Sequence, residues 1–353
     1  MKWIMKGFLI FSILVLIGCE QEKIVEQMPP LSPTEQFVLE QLINKNGLLQ
    51  TDMQQQKKVF LSESVGLWLT YLLEKEDKER FQEQVDVLKQ YFITDDLIVW
   101  RIDGDKKATV NAFIDDLRII HVLLEAGERW NTAQYISLAK ELGKQLTKYG
   151  MLDGIFVDFV DIYSKDKATT IMLSYILPNA LQKMVQYDVI TNEQMAQQIY
   201  IVQNAQPTKE GFYPKFYDIL AKEYTYDTEL HMIDQLYTAL NKLQLGESTD
   251  VFTQWLLKLY ERDGQLYGRY EASTNLPAVP FESPAVYALA TSYMLALGNK
   301  EMANQFFQRM HALRNDELLG YIDTKTKATH IFDNLLPLMT EREMEDANND
   351  KRN

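Results

Sequence analysis

The 353-residue chain has little cysteine, little histidine and no excess of positive charge. Its one cysteine is Cys19, which excludes an internal disulfide and a cysteine-ligated metal cluster. The four histidines, at 121, 231, 311 and 330, show no HExxH or similar spacing, so we expect no metal site. The net charge of −14 and the lack of a basic tract disfavour nucleic acid as a partner.

The first 18 residues have the parts of a secretory signal. A positive start at Lys2 and Lys6 precedes the apolar run Gly7–Val15, and Leu16–Cys19 (LIGC) matches the lipobox, whose cysteine is lipidated and becomes the mature N-terminus. The run is short for a membrane span, and an uncleaved anchor helix is the alternative. On either interpretation the rest of the chain is extracytoplasmic and anchored to the cell membrane, through lipid on Cys19 in the first case.

Composition divides the remainder into three parts. Residues 19–33 are polar and carry three prolines, which is typical of a flexible tether. Residues 34–340 contain no second linker rich in Pro, Gly or Ser, so we expect one domain. Residues 341–353 are highly charged, and we expect a frayed tail or a helix extension.

The domain is predicted to be almost wholly helical. The predicted helices are Thr34–Lys45, Ser62–Glu74, Lys78–Phe92, Asn111–Ala126, Thr132–Tyr149, Thr169–Val185, Asn192–Val202, Thr228–Leu243, Thr249–Tyr260, Pro284–Leu297, Lys300–Leu313 and Phe332–Thr340.

Two kinds of helix alternate along the chain. The segments Val65–Leu73, Ala112–Leu124, Met232–Leu243 and Ala285–Leu297 are apolar around most of their circumference, whereas helices that follow them are apolar on one stripe. Helices of the first kind must be enclosed, and helices of the second kind cover a surface. This alternation predicts an all-α fold, an (α/α)6 toroid with an inner and an outer ring. The absence of a fixed-period repeat disfavours the rival α-solenoid.

Acidic residues open three of the enclosed helices. Glu63 lies at the start of the first, and Asp115 and Asp116 lie at the start of the second. Asp234 lies at the start of the third, in the segment His231–Tyr237. Buried carboxylates are rare unless they are paired or functional. Helix capping is the alternative for each acid alone, since acids stabilise a helix N-terminus. Their occurrence on three enclosed helices favours a ligand site at the N-terminal end of the inner ring.

The phrase Leu61–Leu67 (LSESVGL) resembles the Ser-Glu-x-x-Gly segment of glycoside hydrolase family 8. The resemblance continues through Trp100-Arg101, Asn111–Leu117 and Leu123–Trp130, and it is weaker beyond that region. The segments Leu266–Tyr270 and Glu282–Tyr287 are similar to a divergent lipoprotein branch of the family, which is associated with exopolysaccharide gene clusters.

The resemblance implies roles for the acidic residues. It implies that Glu63 is the general acid and that Asp234 occupies the place of the general base, although Tyr237 stands where the family has an Arg. Glu282 and Asp218 are the alternative bases. The family's substrate-gripping Asp aligns with Ile114, so Asp115 or Asp116 takes that role, depending on where the helix begins.

Side chains for binding sugars are predicted from residue type and from the resemblance. The candidates are Trp68, Trp100, Arg101, Tyr213, Tyr217, Tyr237, Tyr267 and Arg269. We expect burial against Trp68 and a nearby ionised Asp115 or Asp116 to raise the pKa of Glu63, as a general acid requires.

These features predict a membrane-tethered, inverting endo-acting glycoside hydrolase. We expect it to cleave a β-linked exopolysaccharide, a glucan or an amino-sugar polymer, without a cofactor or a required protein partner. One alternative is a non-catalytic polysaccharide-binding lipoprotein with a lapsed family 8 site. Another is a helical solute-binding or scaffold lipoprotein, which predicts no cleft that contains Glu63, Asp116 and Asp234 together.

Overall fold

A computed structural model describes residues 31–323 and 325–349. The predicted signal peptide, the lipidation site at Cys19 and most of the predicted tether lie outside the described residues. From Leu31 onward the described residues form one compact unit. Among them, no helix combines the length and the apolar character that crossing a membrane requires.

Helices dominate the described part of the chain. They are α1 Pro33–Phe37, α2 Ser62–Glu74, α3 Lys78–Val87, α4 Phe113–Arg129, α5 Ala133–Tyr149, α6 Pro178–Gln186, α7 Asn192–Asn204, α8 Met232–Gln244, α9 Asp250–Asp263, α10 Pro284–Ala296, α11 Lys300–His311 and α12 Phe332–Asn349. Single π-helical turns extend α1 to Leu42 and α3 to Phe92.

The even-numbered helices form an inner ring. Each packs against the next, from α2 through α4, α6, α8 and α10 to α12, and α12 packs against α2. In α2 and α10 most side chains are buried on all sides, as the apolar sequences of these helices require. The helices between them bury one stripe each, as in α3 and α11, and form the outer ring. The predicted (α/α)6 fold is therefore confirmed.

Short antiparallel strands flank the ring. They are β1 Val59–Leu61, β2 Ile93–Thr94, β3 Leu97–Ile98, β4 Arg101–Asp103, β5 Lys106–Lys107, β6 Met151–Leu152, β7 Ile155–Phe156, β8 Thr170–Met172, β9 Phe216–Asp218, β10 Glu223–Thr225, β11 Glu229–His231 and β12 Arg269–Glu271. Two of them lead directly into inner helices: β1, paired with β4, precedes α2, and β11, paired with β12, precedes α8.

Two predicted helices begin later than expected because strands occupy their first residues. The predicted helix Thr169–Val185 contains β8, a 3₁₀ turn at Leu173–Tyr175 and then α6. The predicted helix Thr228–Leu243 begins with β11. Strands of three residues are too short for a period-two pattern to reveal them. At the other end of the chain, α12 continues past Thr340, so part of the predicted tail is a helix extension.

Candidate active site

A cavity of about 420 Å³ lies where the inner helices begin. Its lining includes four carboxyl groups, two imidazoles and several aromatic rings. The acidic and basic members are Glu63, Asp115, Asp234, Asp333, His231, His330 and Arg269. They come from α2, α4, β11, α8, β12, α12 and the loop before α12, so the cavity joins parts of the chain that are far apart in sequence.

Asp115 is fixed beside the start of α2. Ser62 Oγ donates a hydrogen bond to Asp115 Oδ2 (2.7 Å), and Arg118 Nη1 lies 3.3 Å from Asp115 Oδ1. Burial raises the pKa of Asp115, while Arg118 and Ser62 oppose that rise. Arg118 reaches this position across α2 at Gly66, where a Cβ atom would lie only 3.2 Å from its side chain. The glycine of the LSESVGL phrase therefore makes room for the partner of Asp115.

Asp234 lies in the first turn of α8. Ser174 Oγ donates to Asp234 Oδ1 (3.1 Å), and His231 Nδ1 lies 3.9 Å from Asp234 Oδ2. Burial raises the pKa of Asp234, and both His231 and the Ser174 hydrogen bond oppose the rise. A carboxylate with these neighbours, at the positive end of a helix, is suited to accept a proton.

Asp333 lies in the first turn of α12 and was not predicted as a site residue. Ser283 Oγ (2.6 Å) and the Ala285 backbone N–H (3.1 Å) both donate to its Oδ1. His330 lies beside it, and burial lowers the pKa of that imidazole.

The three aspartates repeat one arrangement around the ring. Each opens an alternate inner helix after two apolar residues, and each accepts a hydrogen bond from a serine at or before the start of the preceding inner helix. The sequence therefore contained a signal for Asp333. Two apolar residues, Ile331 and Phe332, precede it, just as two apolar residues ending in Ile114 and Ile233 precede the other two aspartates.

Glu63 lies among these three aspartates. Burial and the nearby Asp115 raise the pKa of Glu63 to about 8, Asp333 and Asp234 add to the rise, and Arg118 opposes it. Glu63 is therefore protonated at neutral pH although it sits at a helix N-terminus, which by itself favours the ionised form. A protonated carboxylic acid and an ionisable aspartate in one cavity are the groups that glycosidic hydrolysis needs.

Aromatic side chains form much of the remaining lining. Trp100, Tyr175, Tyr237 and Phe281 line the cavity, and Phe281 is 56% exposed. Gly268 lets the Phe281 ring approach, because a Cβ atom there would lie 3.0 Å from the ring. Trp100 and Tyr237 were predicted sugar-binding residues, whereas Tyr175 and Phe281 were not. Flat faces of this kind are suited to stack on sugar rings.

Two predicted site residues lie in the core. Asp116 is 3% exposed, accepts a hydrogen bond from Asn111 and faces the apolar space between α4, α5 and β3. One residue turns a helix by about 100°, so Asp115 reaches the cavity and Asp116 does not. Trp68 is 2% exposed and stacks on Tyr71, since five residues place it about 140° around α2 from Glu63. The expectation that Trp68 buries Glu63 is wrong.

The two alternative bases, Glu282 and Asp218, form hydrogen bonds outside the cavity. Glu282 forms two hydrogen bonds with Arg309 (2.6 and 2.8 Å) and a third with Tyr287. Asp218 accepts hydrogen bonds from backbone N–H groups in the turn between β9 and β10. Neither residue lines the cavity.

Of the other predicted binding residues, one lines the cavity and four do not. Arg269 lines the cavity and pairs with Glu229 (2.6 Å). Four others do not line it: Arg101 pairs with Asp103, Tyr217 packs on Tyr224, Tyr267 packs on Tyr270, and Tyr213 is buried against Phe252.

The chain has recognisable relatives, although no protein-family model matches it. It is 38% identical over 324 residues to a protein of Bacillus subtilis (strain 168) named "Putative lipoprotein YdaJ", with 90% of this chain and 88% of that protein covered. A solved structure of an endoglucanase from Klebsiella pneumoniae, a family 8 glycosyl hydrolase, has the same fold (TM-score 0.64, 13% identity, 89% and 99% covered). The chain therefore belongs to the same family as this Bacillus subtilis lipoprotein, and its fold is that of glycoside hydrolase family 8 enzymes.

Two further solved structures are more similar to this chain. One is described as a novel alpha-amylase from Clostridium perfringens and has a TM-score of 0.79 at 25% identity, covering 88% of this chain and 96% of that chain. The other is PssZ from Listeria monocytogenes, with a TM-score of 0.74 at 29% identity, covering 87% and 93%. Together these likenesses support a glycosidase.

Proposed function

We propose that the protein is an extracytoplasmic, lipid-anchored glycoside hydrolase that cleaves a β-linked exopolysaccharide internally, with inversion. The observation that carries the proposal is the pairing of Glu63 and Asp234 in one cavity. The pKa of Glu63, about 8, leaves a proton available at neutral pH. Asp234 has a serine and an imidazole beside it that favour its ionised form.

Hydrolysis would use these two groups on opposite faces of the sugar. Glu63 donates its proton to the glycosidic oxygen as the bond to the anomeric carbon breaks. Asp234 accepts a proton from the water that attacks the anomeric carbon from the other face, so the configuration inverts. The product is a new reducing end, and Glu63 regains its proton from solvent while Asp234 releases one.

The remaining lining would hold the polymer. Asp115, fixed by Ser62 and Arg118, is placed to accept hydrogen bonds from sugar hydroxyls. Trp100 and Phe281 offer apolar faces for neighbouring sugar units. With three aspartates in the cavity, neutral or cationic sugars are favoured over uronic acids.

A panel of polymers tests the proposal. We would measure reducing ends released from β-1,4-glucan, chitosan, xylan and the host's own exopolysaccharide, by protein starting at residue 20 and by its Glu63→Gln variant. We expect activity on at least one β-linked polymer and its loss in Glu63→Gln, which keeps the shape of the side chain. Activity that survives this substitution would refute the site assignment.

Anomeric configuration and binding distinguish the remaining possibilities. Proton NMR of the first product should show the configuration opposite to that of the bond cleaved. Binding without any product, the host polymer included, would support the lapsed, polysaccharide-binding alternative instead.

A second candidate substrate is an α-linked glucan. It is favoured by the likeness to the structure described as an alpha-amylase, whose identity to this chain is 25%. Soluble starch therefore belongs in the panel, and cleavage of starch alone would replace the β-linked proposal.

Membrane attachment rests on the lipobox at Leu16–Cys19 and on the name of the Bacillus subtilis relative. Cells that produce the protein should retain it in the membrane fraction and label it with a radioactive fatty acid. A Cys19→Ser variant should lose the label, and a label that persists would contradict lipidation at Cys19.

A further inference from the structure

A side cavity adjoins the active-site cavity at the start of α12. Its volume is about 580 Å³, and most of its lining comes from residues 312–330. Three residues, Phe281, His330 and Asp333, line both cavities. A polymer that extends from the active-site cavity into the side cavity therefore passes the imidazole of His330.

The imidazole of His330 is held in place by the helix that follows it. The backbone N–H of Phe332, the first residue of α12, donates a hydrogen bond to His330 Nδ1 (3.2 Å). The first N–H groups of a helix have no acceptor within the helix, so the imidazole supplies one of the acceptors that α12 needs. Asn334 Nδ2 donates to the backbone oxygen of His330 (3.1 Å), which fixes the main chain at this residue as well.

The hydrogen bond to Nδ1 decides which ring nitrogen carries a proton. A ring nitrogen that accepts a hydrogen bond has no proton of its own. Burial lowers the pKa of His330, so at neutral pH the ring is neutral and has a single N–H, which is at Nε2. Among residues 31–323 and 325–349, no group accepts a hydrogen bond from Nε2, although this atom is not sealed in the interior.

We propose that His330 is a substrate-binding residue, which donates a hydrogen bond from Nε2 to the sugar unit at the junction of the two cavities. This inference rests on the proposed function, in which the active-site cavity holds a polysaccharide, and it deepens that function. The group bound at the junction has to offer a lone pair. A hydroxyl or an acetamido oxygen does so, whereas a protonated amine does not.

Two substitutions separate the donor at Nε2 from the acceptor at Nδ1. In His330→Asn the amide oxygen lies where Nδ1 lay and still accepts from Phe332, but no group reaches the place of Nε2. In His330→Gln the longer side chain brings an amide N–H to the place of Nε2, and the acceptor for Phe332 is lost. The first variant therefore keeps the helix cap without the donor, and the second keeps the donor without the cap.

Binding is measured by isothermal titration calorimetry on the full chain solubilised in detergent, with Glu63→Gln in every protein so that no probe is cleaved. The probes are the host's own exopolysaccharide and the hexasaccharides of β-1,4-glucan, xylan and α-1,4-glucan. For each probe that binds, we expect His330→Asn to raise Kd about three- to tenfold, as the loss of one neutral hydrogen bond does, and His330→Gln to stay within about twofold. His121→Asn makes the same change on α4, outside both cavities, and should leave Kd unchanged.

Thermal unfolding of the same proteins should give the opposite order. We expect His330→Gln to lower Tm by about 2 °C because the cap of α12 is lost, and His330→Asn to lower it less. A purely structural role for His330 would instead make binding follow stability, so that His330→Gln would bind the probes more weakly than His330→Asn.

NMR locates the proton without any ligand. The chain has four histidines, so ¹⁵N labelling of the imidazoles gives few signals, and the signals of His330 are those that disappear in His330→Asn. At pH 7 we expect a neutral ring with its proton on Nε2.

Three results would overturn the inference. They are a proton on Nδ1, a folded His330→Asn variant that binds every probe as tightly as the parent, and a parent that binds no probe, the host polymer included. If His330→Asn does not fold, His330→Ala is compared with His330→Gln, because both lack the cap and only the latter has the donor. Weaker binding in His330→Asn supports the inference even if the wild-type chain cleaves no polymer, a result that would refute only the proposed function.

Discussion

The two ends of the inner ring carry cavities of very different character. The cavity at the N-terminal end of the helices has a volume of about 420 Å³ and contains four carboxyl groups. A second cavity, of about 700 Å³, is lined by the later turns of α2, α8 and α10 and by parts of α4, α6 and α12, and it contains two carboxyl groups, Glu74 and Glu343. The larger cavity therefore holds two carboxyl groups, whereas the smaller one holds four.

Helix direction explains the difference. Helix N-termini present N–H groups and a partial positive charge, which favour a carboxylate there and oppose the rise that burial gives to the pKa of Asp115 and Asp234. Helix C-termini present carbonyl groups, which offer no such stabilisation. At the second cavity, burial raises the pKa of Glu343, and the hydrogen bond from Ser292 opposes the rise. At the N-terminal end, burial and the negative charges around Glu63 outweigh the helix and raise the pKa of Glu63 to about 8.

The largest expected contrast between the two ends is in catalysis. We expect Asp234→Asn to lower kcat by about 10²–10⁴-fold, since the amide cannot accept the proton of the attacking water. Glu343→Gln, at the second cavity, makes the matching change and should leave kcat within about twofold, because Ser292 can still donate to the amide oxygen. The check is the rate of reducing-end release by both variants. Equal losses in both would show that the comparison between the two ends is mistaken.

A second contrast is in stability, at the boundary between the cavities. Arg118 lines the second cavity yet pairs with Asp115 of the first, and both side chains are buried. We expect Arg118→Met to lower the free energy of unfolding by about 3 kcal/mol at pH 8, because it leaves a buried carboxylate without its cation. Urea denaturation measures this, and the loss should shrink at lower pH as Asp115 takes up a proton.

His121→Gln is the control for that measurement. His121 lies one turn further along α4, lines the second cavity and is only 3.7 Å from Glu125, a loose contact near the surface. We expect this variant to lose less than about 1 kcal/mol. A loss comparable to that of Arg118→Met would indicate that packing, not charge compensation, dominates at the boundary.

The smallest expected effect is a gradual dependence on pH. The Glu63 pKa of about 8 is raised, so the acid is protonated below that pH and loses its proton above it. We therefore expect kcat/KM to fall about tenfold per pH unit above pH 8 and to hold steady just below it. A profile that stays flat to pH 10, well above the Glu63 pKa, would remove Glu63 from the role of general acid.

The fold was accessible from sequence because its signal is repeated. Periodicity identified four inner helices and the alternation of two helix types, which is enough to indicate two rings. It did not identify α6 as an inner helix, because β8 and a 3₁₀ turn fill the first part of that segment. Periodicity also did not identify α12 as an enclosed helix, because the apolar stretch Phe332–Thr340 is followed by charged residues in the same helix.

The site was accessible only in part. Glu63 and Asp234 were found as acids that open apolar helices, and both line the cavity. The choice between Asp115 and Asp116 depended on where α4 begins, since one residue rotates a side chain by about 100°. Trp68 has the residue type of a sugar platform, but its position on α2 places it in the core.

The sequence by itself determined the helix types, the family resemblance and the identity of two candidate acids, because local periodicity and short phrases encode these properties. Only the tertiary structure decided which acid holds the proton. The protonation of Glu63 depends on burial and on charges from α4, α8 and α12, which lie far apart along the chain. Electrostatic interaction depends on distance in space and not on distance along the sequence.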